Sequence, residues 1–163
     1  MLKKIIFLIV LSLYLTSPFA VYANDISQNL KEPFIKPNAG FYYLIKRSYE
    51  KILEIFQFSD KSKLNYHQNL ILTRLSELKY VAETKNLGEL QQSTERFSYE
   101  AGKLVELSKK LVSSDKSSIQ NKFKEYKPIL EKLRDIYPAN SSFWMLIQYD
   151  IDTLDILSKK LET

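Results

Sequence analysis

From Phe41 almost to the last residue, apolar side chains recur every three or four positions, and no stretch alternates with the period of two expected of a half-buried strand. Five helices follow from that pattern. The first spans roughly residues 40–57. There Tyr42, Ile45, Tyr49, Ile52 and Phe56 form one apolar stripe, with Arg47, Glu50, Lys51 and Glu54 largely on the other side. Such a stripe normally turns toward the core, so this helix is predicted to pack through it, with Phe56 and Phe58 docking it onto its neighbours. Ser59 or Asp60 then supplies the cap of a second helix running to about Lys85. Its predicted buried face is Leu64, His67, Ile71, Leu75, Leu78 and Ala82.

Asn86 and Gly88 mark a turn, either able to take a left-handed conformation. The third helix, from about Glu89 to Val112, carries Leu90, Phe97, Leu104 and Leu111 seven apart, beside the small residues Thr94, Ala101 and Ser108. Large-against-small alternation permits close approach, so helices two and three are predicted to form an antiparallel hairpin with coiled-coil character. Ser113–Ser118 reads as a linker and cap. Ile119, Phe123, Tyr126, Leu130, Leu133 and Tyr137 then line a fourth segment, with a kink or break predicted just before Pro128. A fifth helix, about Ser142 to Leu161, buries Trp144, Ile147, Ile151, Leu154 and Leu161. The predicted fold is all-α, an antiparallel bundle of four to five helices built around a long hairpin and occupying residues 39–163. Residues 24–38, with two prolines and no periodicity, read as a flexible lead-in.

The first 23 residues read differently. A basic start (Lys3, Lys4), the 11-residue apolar run "IIFLIVLSLYL", and Val21 and Ala23 at the −3 and −1 positions have the form of a secretory signal peptide. The predicted location is therefore outside the cytoplasm: periplasmic, cell-surface or secreted. The alternative is an uncleaved N-terminal anchor, and membrane contact is predicted only through this segment. With no cysteine, disulfides, thiol catalysis and a lipoprotein anchor are excluded. Loss of Lys3 and Lys4 lowers the formal net charge from +5 to +3, and the remaining basic residues are scattered among acids. A nucleic-acid footprint needs a clustered basic stripe, so none is predicted.

The stretches "PNAGFYYLIKRSYE", "FQFSDKSKL" and "RLSEL" together resemble an uncharacterised bacterial family of exported helical domains. The family pattern has a Pro-led start, an aromatic helix with Lys-Arg and Glu, an aromatic junction ending in Lys, and a hairpin carrying Arg-Leu-x-Glu. Pro37, Tyr43, Lys46, Arg47, Glu50, Phe58, Lys63, Arg74, Leu75 and Glu77 match, while Tyr49 stands where Trp is expected. The resemblance, from about Pro37 to Leu111, implies export and a helical fold and brings no activity with it.

Candidate chemistry is thin. His67 is the only histidine and lies on a packing stripe without a nucleophile motif or further zinc ligands, so it is assigned to structure. "YDIDTLD" (Tyr149 to Asp155) is the best candidate cation site, but apolar residues interrupt it, and solvent-facing carboxylates are the simpler reading. Glu95, Glu100, Glu106 and Asp115 form no defined opposed pair, and Arg96 with Glu100 and Glu106 with Lys110 are assigned as i,i+4 partners. No catalytic residue, metal or cofactor is predicted. The predicted function is a non-enzymatic interaction or structural module at the cell envelope, binding an unidentified protein or envelope partner. Its surface would be formed by Lys79, Glu83, Arg96 and Lys103 on the hairpin, with the off-stripe aromatics Tyr43 and Tyr99. An envelope hydrolase built on His67 is the lesser alternative.

Overall fold

A computed structural model describes residues 30–110 and 113–162. The predicted leader, the first residues of the lead-in, and Leu111 and Val112 at the predicted end of helix three lie outside them. Along the described residues the chain forms five helices and no strand: α1 (Phe41–Ile55), α2 (Asp60–Glu83), α3 (Leu87–Ser108), α4 (Ser113–Arg134) and α5 (Ser142–Glu162). The all-α bundle is as predicted.

The core lies between α2, α3, α4 and α5, which pack as the hairpins α2/α3 and α4/α5 with α3 laid against α5. Every residue named above for the buried face of α2 is buried, as are Leu90, Phe97 and Leu104 on α3 and the whole stripe of the fourth segment. Thr94, Ala101 and Ser108 are buried too, so the small residues face a neighbour. Their hydroxyls are satisfied within the helix, Thr94 donating to the Gln91 carbonyl and Ser108 to that of Val105, both at 2.7 Å. Tyr137 closes the core at one end, its hydroxyl donating to the Ala82 carbonyl at 3.2 Å.

The local capping and turn signals hold in part. Ser59 caps α2 as predicted, its Oγ accepting from the Ser62 amide at 3.0 Å. The left-handed residue after α2 is neither Asn86 nor Gly88 but Lys85, with φ 52°. The Asn86 amide reaches the Val81 carbonyl and the Lys85 amide that of Ala82, at 3.0 and 3.1 Å, a Schellman closure with lysine at the position that favours glycine. Ser113–Ser118 is not a linker: these residues are the first turns of α4, with Asp115 at the N-terminus where the helix dipole favours an acid. α4 also continues through Pro128 without a break. Residues 30–40 have no regular structure, yet Leu30 packs on the core, Pro33 and Pro37 are buried, and the Lys36 amine sits 4.7 Å above the Tyr80 ring.

The largest departure is α1. Its predicted buried stripe faces outward: Tyr42, Ile45, Ile52 and Phe56 are exposed, and Tyr49 is half-buried. Phe56 and Phe58 do not dock it. They meet each other edge to face at 6.3 Å, and Phe58 is 87% exposed. The buried residues of α1 are Tyr43, Lys46 and Glu50, from the polar side.

Candidate functional site

α1 makes no close backbone seam with the other helices. Long polar side chains bridge the gap instead. Arg74 and Glu77 stand one turn apart on α2, each 1% exposed, and Arg74 Nη1 donates to both Glu77 oxygens at 3.0 and 2.9 Å. Glu77 also accepts from Lys46 Nζ and, at 3.0 Å, from the Tyr43 hydroxyl. Glu50 accepts from Arg74 Nη2 and, at 3.0 Å, from Arg47 Nη1, and lies 3.5 Å from Lys46 Nζ. On the α3 side, Arg96 donates to the Tyr43 hydroxyl at 3.2 Å, with its guanidinium 4.9 Å from the ring centre. Three cations thus meet two carboxylates in a largely buried layer, with Arg47 at its rim. Its members are Tyr43, Lys46, Arg47, Glu50, Arg74 and Glu77.

A second contact lies further along α1. His67, 2% exposed, has Nδ1 2.9 Å from Glu100 on α3 and Nε2 3.4 Å from Glu54 on α1. The Tyr66 hydroxyl donates to the Glu50 carbonyl at 2.6 Å. Each ring nitrogen of His67 therefore faces a carboxylate, and neither is turned to a nucleophile's hydroxyl. The geometry is that of a tie between α1, α2 and α3, in keeping with the structural role assigned from sequence.

Burial dominates the electrostatics of this layer. It raises the Glu50 carboxyl from 4.5 to about 7, with Glu77 adding to the rise and Lys46 and Arg47 opposing it. It also pushes the Tyr43 and Tyr66 hydroxyls above their usual range, Glu77 and Glu50 respectively adding to the effect. Perturbed groups of this kind can mark catalytic sites. Here they lie beneath a helix, with every carboxylate committed to cations, a tyrosine or a histidine. The cleft bordering the cluster is open, about 430 Å³, and is lined in part by Tyr43, Leu44, Gln92 and Arg96.

The residues predicted to form an interaction surface are dispersed. Tyr43 is buried rather than an outlying exposed aromatic, and it meets Arg96 inside the cluster. Lys79 pairs with Glu83 at 3.8 Å on α2, and Lys103 lies 3.4 Å from Glu106 on α3. Tyr99 is exposed on α3. The predicted i,i+4 partners are not made: Arg96 bonds Tyr43 and Gln92, Glu100 faces His67, and Glu106 takes Lys103. The three acids of "YDIDTLD" go separate ways. Asp152 accepts from Gln148 at 2.8 Å and Asp155 pairs with Lys127 at 2.7 Å. Asp150 is buried rather than solvent-facing, one oxygen accepting from Ser98 Oγ and the other without a partner. Burial holds its carboxyl well above the ordinary value of 3.8. Among the described residues no three acids or histidines converge as a metal site requires, and no helix is long and apolar enough to cross a membrane.

What sequence reasoning missed is the outward face of α1, where Phe41, Tyr42, Leu44, Ile45, Ile52 and Ile55 are exposed, continuing into Phe56 and Phe58. The chain matches no protein-family model, no curated protein and no solved structure, so its own geometry carries the functional argument.

Proposed function

We propose that this protein is an exported, non-enzymatic interaction module of the cell envelope, and that it engages its partner through the outward face of α1. The carrying observation is the inverted seating of that helix. An ordinary amphipathic helix stabilises a fold by burying its apolar stripe. α1 spends its polar side on the protein and leaves the stripe in solvent. Phe41, Tyr42, Leu44, Ile45, Ile52, Ile55, Phe56 and Phe58 are all exposed along and just beyond this helix, and large apolar side chains grouped on one face in this way mark interaction sites. Such a patch is costly in water and is matched by something that covers it.

The charged side of the α2/α3 hairpin is a weaker candidate surface. Lys79, Glu83 and Lys103 are engaged in short-range pairs on their own helices, and Arg96 is held by Tyr43 and Gln92. Exposed pairs of that sort contribute roughly 0–1 kcal/mol and are screened by salt. Photo-crosslinkers placed at Ile45 and Ile52, and separately at Lys79 and Lys103, test the assignment in the exporting cell. Adducts are expected from the α1 positions. Adducts confined to the hairpin positions would move the function there, and turnover of a wall polymer by purified protein would replace the binding role with an enzymatic one.

A further inference from the structure

We infer that the occupant of the α1 face is the interfacial layer of a lipid bilayer carrying anionic headgroups. This rests on the reading of α1 as the engaging surface and names what it engages. Three observations favour a lipid surface over a second copy.

The first is the width of the face. At 100° per residue, Leu44, Ile55, Phe41, Ile52, Ile45, Phe56 and Tyr42 cover an arc of about 160°. The seam between two helices packed through a and d positions is a narrower stripe. A second α1 laid on Ile45, Ile52 and Phe56 would leave Leu44 and Ile55 at the edge of the contact, and Ile55 is 75% exposed. A plane receives all of them together. At 1.5 Å per residue the helix is about 22 Å long and would lie flat, sinking its apolar side about 5–10 Å.

The second observation is the distribution of charge. α1 carries two acids, and neither lies on the apolar arc: Glu50 is held by Arg74, Arg47 and Lys46, and Glu54, with its side chain 41% exposed, stands at the flank against His67. The outward side keeps Lys51, at the edge of the apolar arc, and Ser48 within it, both exposed. Anionic headgroups repel carboxylates and attract a lysine whose stem can lie along the apolar boundary. The cluster draws in Lys46 and Arg47 along with Glu50, so the outward side is left with one cation, Lys51, and no acid, a balance an anionic surface accepts.

The third is chain geometry. The described residues begin at Leu30, packed on the core, and α1 starts at Phe41. The apolar run of residues 5–15 precedes it on the same chain, so export directed by that run delivers α1 at a bilayer surface whether the run is then cleaved or retained. The sequence reading confined membrane contact to the N-terminal segment. Contact through α1 would be a second one, made by the folded domain itself.

The test places the only tryptophan on the face in question. Trp144→Phe with Ile52→Trp is prepared as the full exported chain and mixed with vesicles of three parts phosphatidylethanolamine to one part phosphatidylglycerol, carrying brominated acyl chains. Because residues 1–23, where retained, would tether any protein to the vesicles, the readout is the depth of the tryptophan. The expected result is a blue shift and strong quenching at Ile52→Trp, neither at Thr73→Trp on α2, and loss of most of the quenching when Ile45→Glu and Ile55→Glu are added. Those three positions are exposed, so an unchanged unfolding midpoint certifies the fold. A tryptophan at position 52 that is unquenched while crosslinks through Ile45 join two copies, or join another protein, overturns the lipid assignment and leaves α1 as the engaging face. Glu variants that alter neither quenching nor any crosslink overturn both.

Discussion

Replacing Glu77 by glutamine should cost more stability than truncating any of the aromatic residues of α1 on its outward side. Glu77 accepts from Arg74, Lys46 and the Tyr43 hydroxyl, and its side chain is 1% exposed. Glutamine has nearly the same shape but no charge, leaving Lys46, Arg47 and Arg74 around Glu50 alone. Removing one partner from a buried ion pair costs about 3–5 kcal/mol, because the remaining charges stay desolvated without compensation. Phe56, already partly in water and packed against Phe58 rather than the core, should cost less than about 1 kcal/mol when changed to alanine. Denaturant unfolding followed by circular dichroism gives both values. Native-state hydrogen exchange then locates the loss: it should fall on α1 first, since α2 to α5 hold their own apolar core. A cycle combining Glu77→Gln with Lys46→Met should reveal coupling of roughly 1–3 kcal/mol. If Glu77→Gln costs under about 1 kcal/mol while Phe56→Ala costs about 3–5 kcal/mol, α1 is seated on its apolar stripe and the inverted packing is wrong.

Other perturbations probe the rest of the fold. Asp150→Asn should stabilise the protein at neutral pH, because burial holds the native carboxyl well above its ordinary 3.8. The sign follows from linkage: the stability associated with the protonated carboxyl is fully present below 3.8 and is lost as pH rises from there toward the folded value, so melts from pH 3 to 8 should show the asparagine variant gaining on the parent. Lys85→Gly should raise stability by about 1 kcal/mol in the same melts, since φ 52° strains a side chain that glycine lacks. Leu75→Ala, in the centre of the core, should cost about 2–5 kcal/mol by denaturant titration and expose the whole bundle to hydrogen exchange. Ser59→Ala should cost about 1 kcal/mol through loss of the α2 cap.

Four of the five helices were legible because their apolar period and their burial coincide, with one exception on α5, where Trp144 was expected inside and is half-buried at the edge of the core. Leu64 to Ala82, Leu90 to Leu104 and Ile119 to Tyr137 sit where a 3.6-residue repeat places a core face. α1 has the clearest stripe of all, and there the inference from stripe to core fails. Periodicity identifies which side chains share a face, not what that face meets. The missing information was long-range: Arg74 and Glu77, on the neighbouring helix, supply partners that let Lys46 and Glu50 go inside. Tyr43, Lys46 and Glu50 stand far along the chain from Arg74 and Glu77, and one sequence offers no way to see that they meet. The pairing of His67 with Glu100 was hidden for the same reason. The misread turns were local competitions. Lys85 took the left-handed position ahead of Asn86 and Gly88 because the closure follows where α2 runs out, and Ser113–Ser118, rich in cap-forming serines, extended α4 instead of separating it from α3.

The central claim is the orientation of α1, and the absence of cysteine from the chain makes it directly measurable. Single cysteines at Ile45, Ile52 and Ile55 leave the buried cluster untouched, and one at Leu75 serves as a core reference. With a water-soluble thiol reagent, and no lipid present, the three α1 positions should be modified at rates close to those of the unfolded protein, while Leu75→Cys is protected by the full opening free energy of the core. Protection of Ile45→Cys and Ile52→Cys to the same degree as Leu75→Cys would contradict the account.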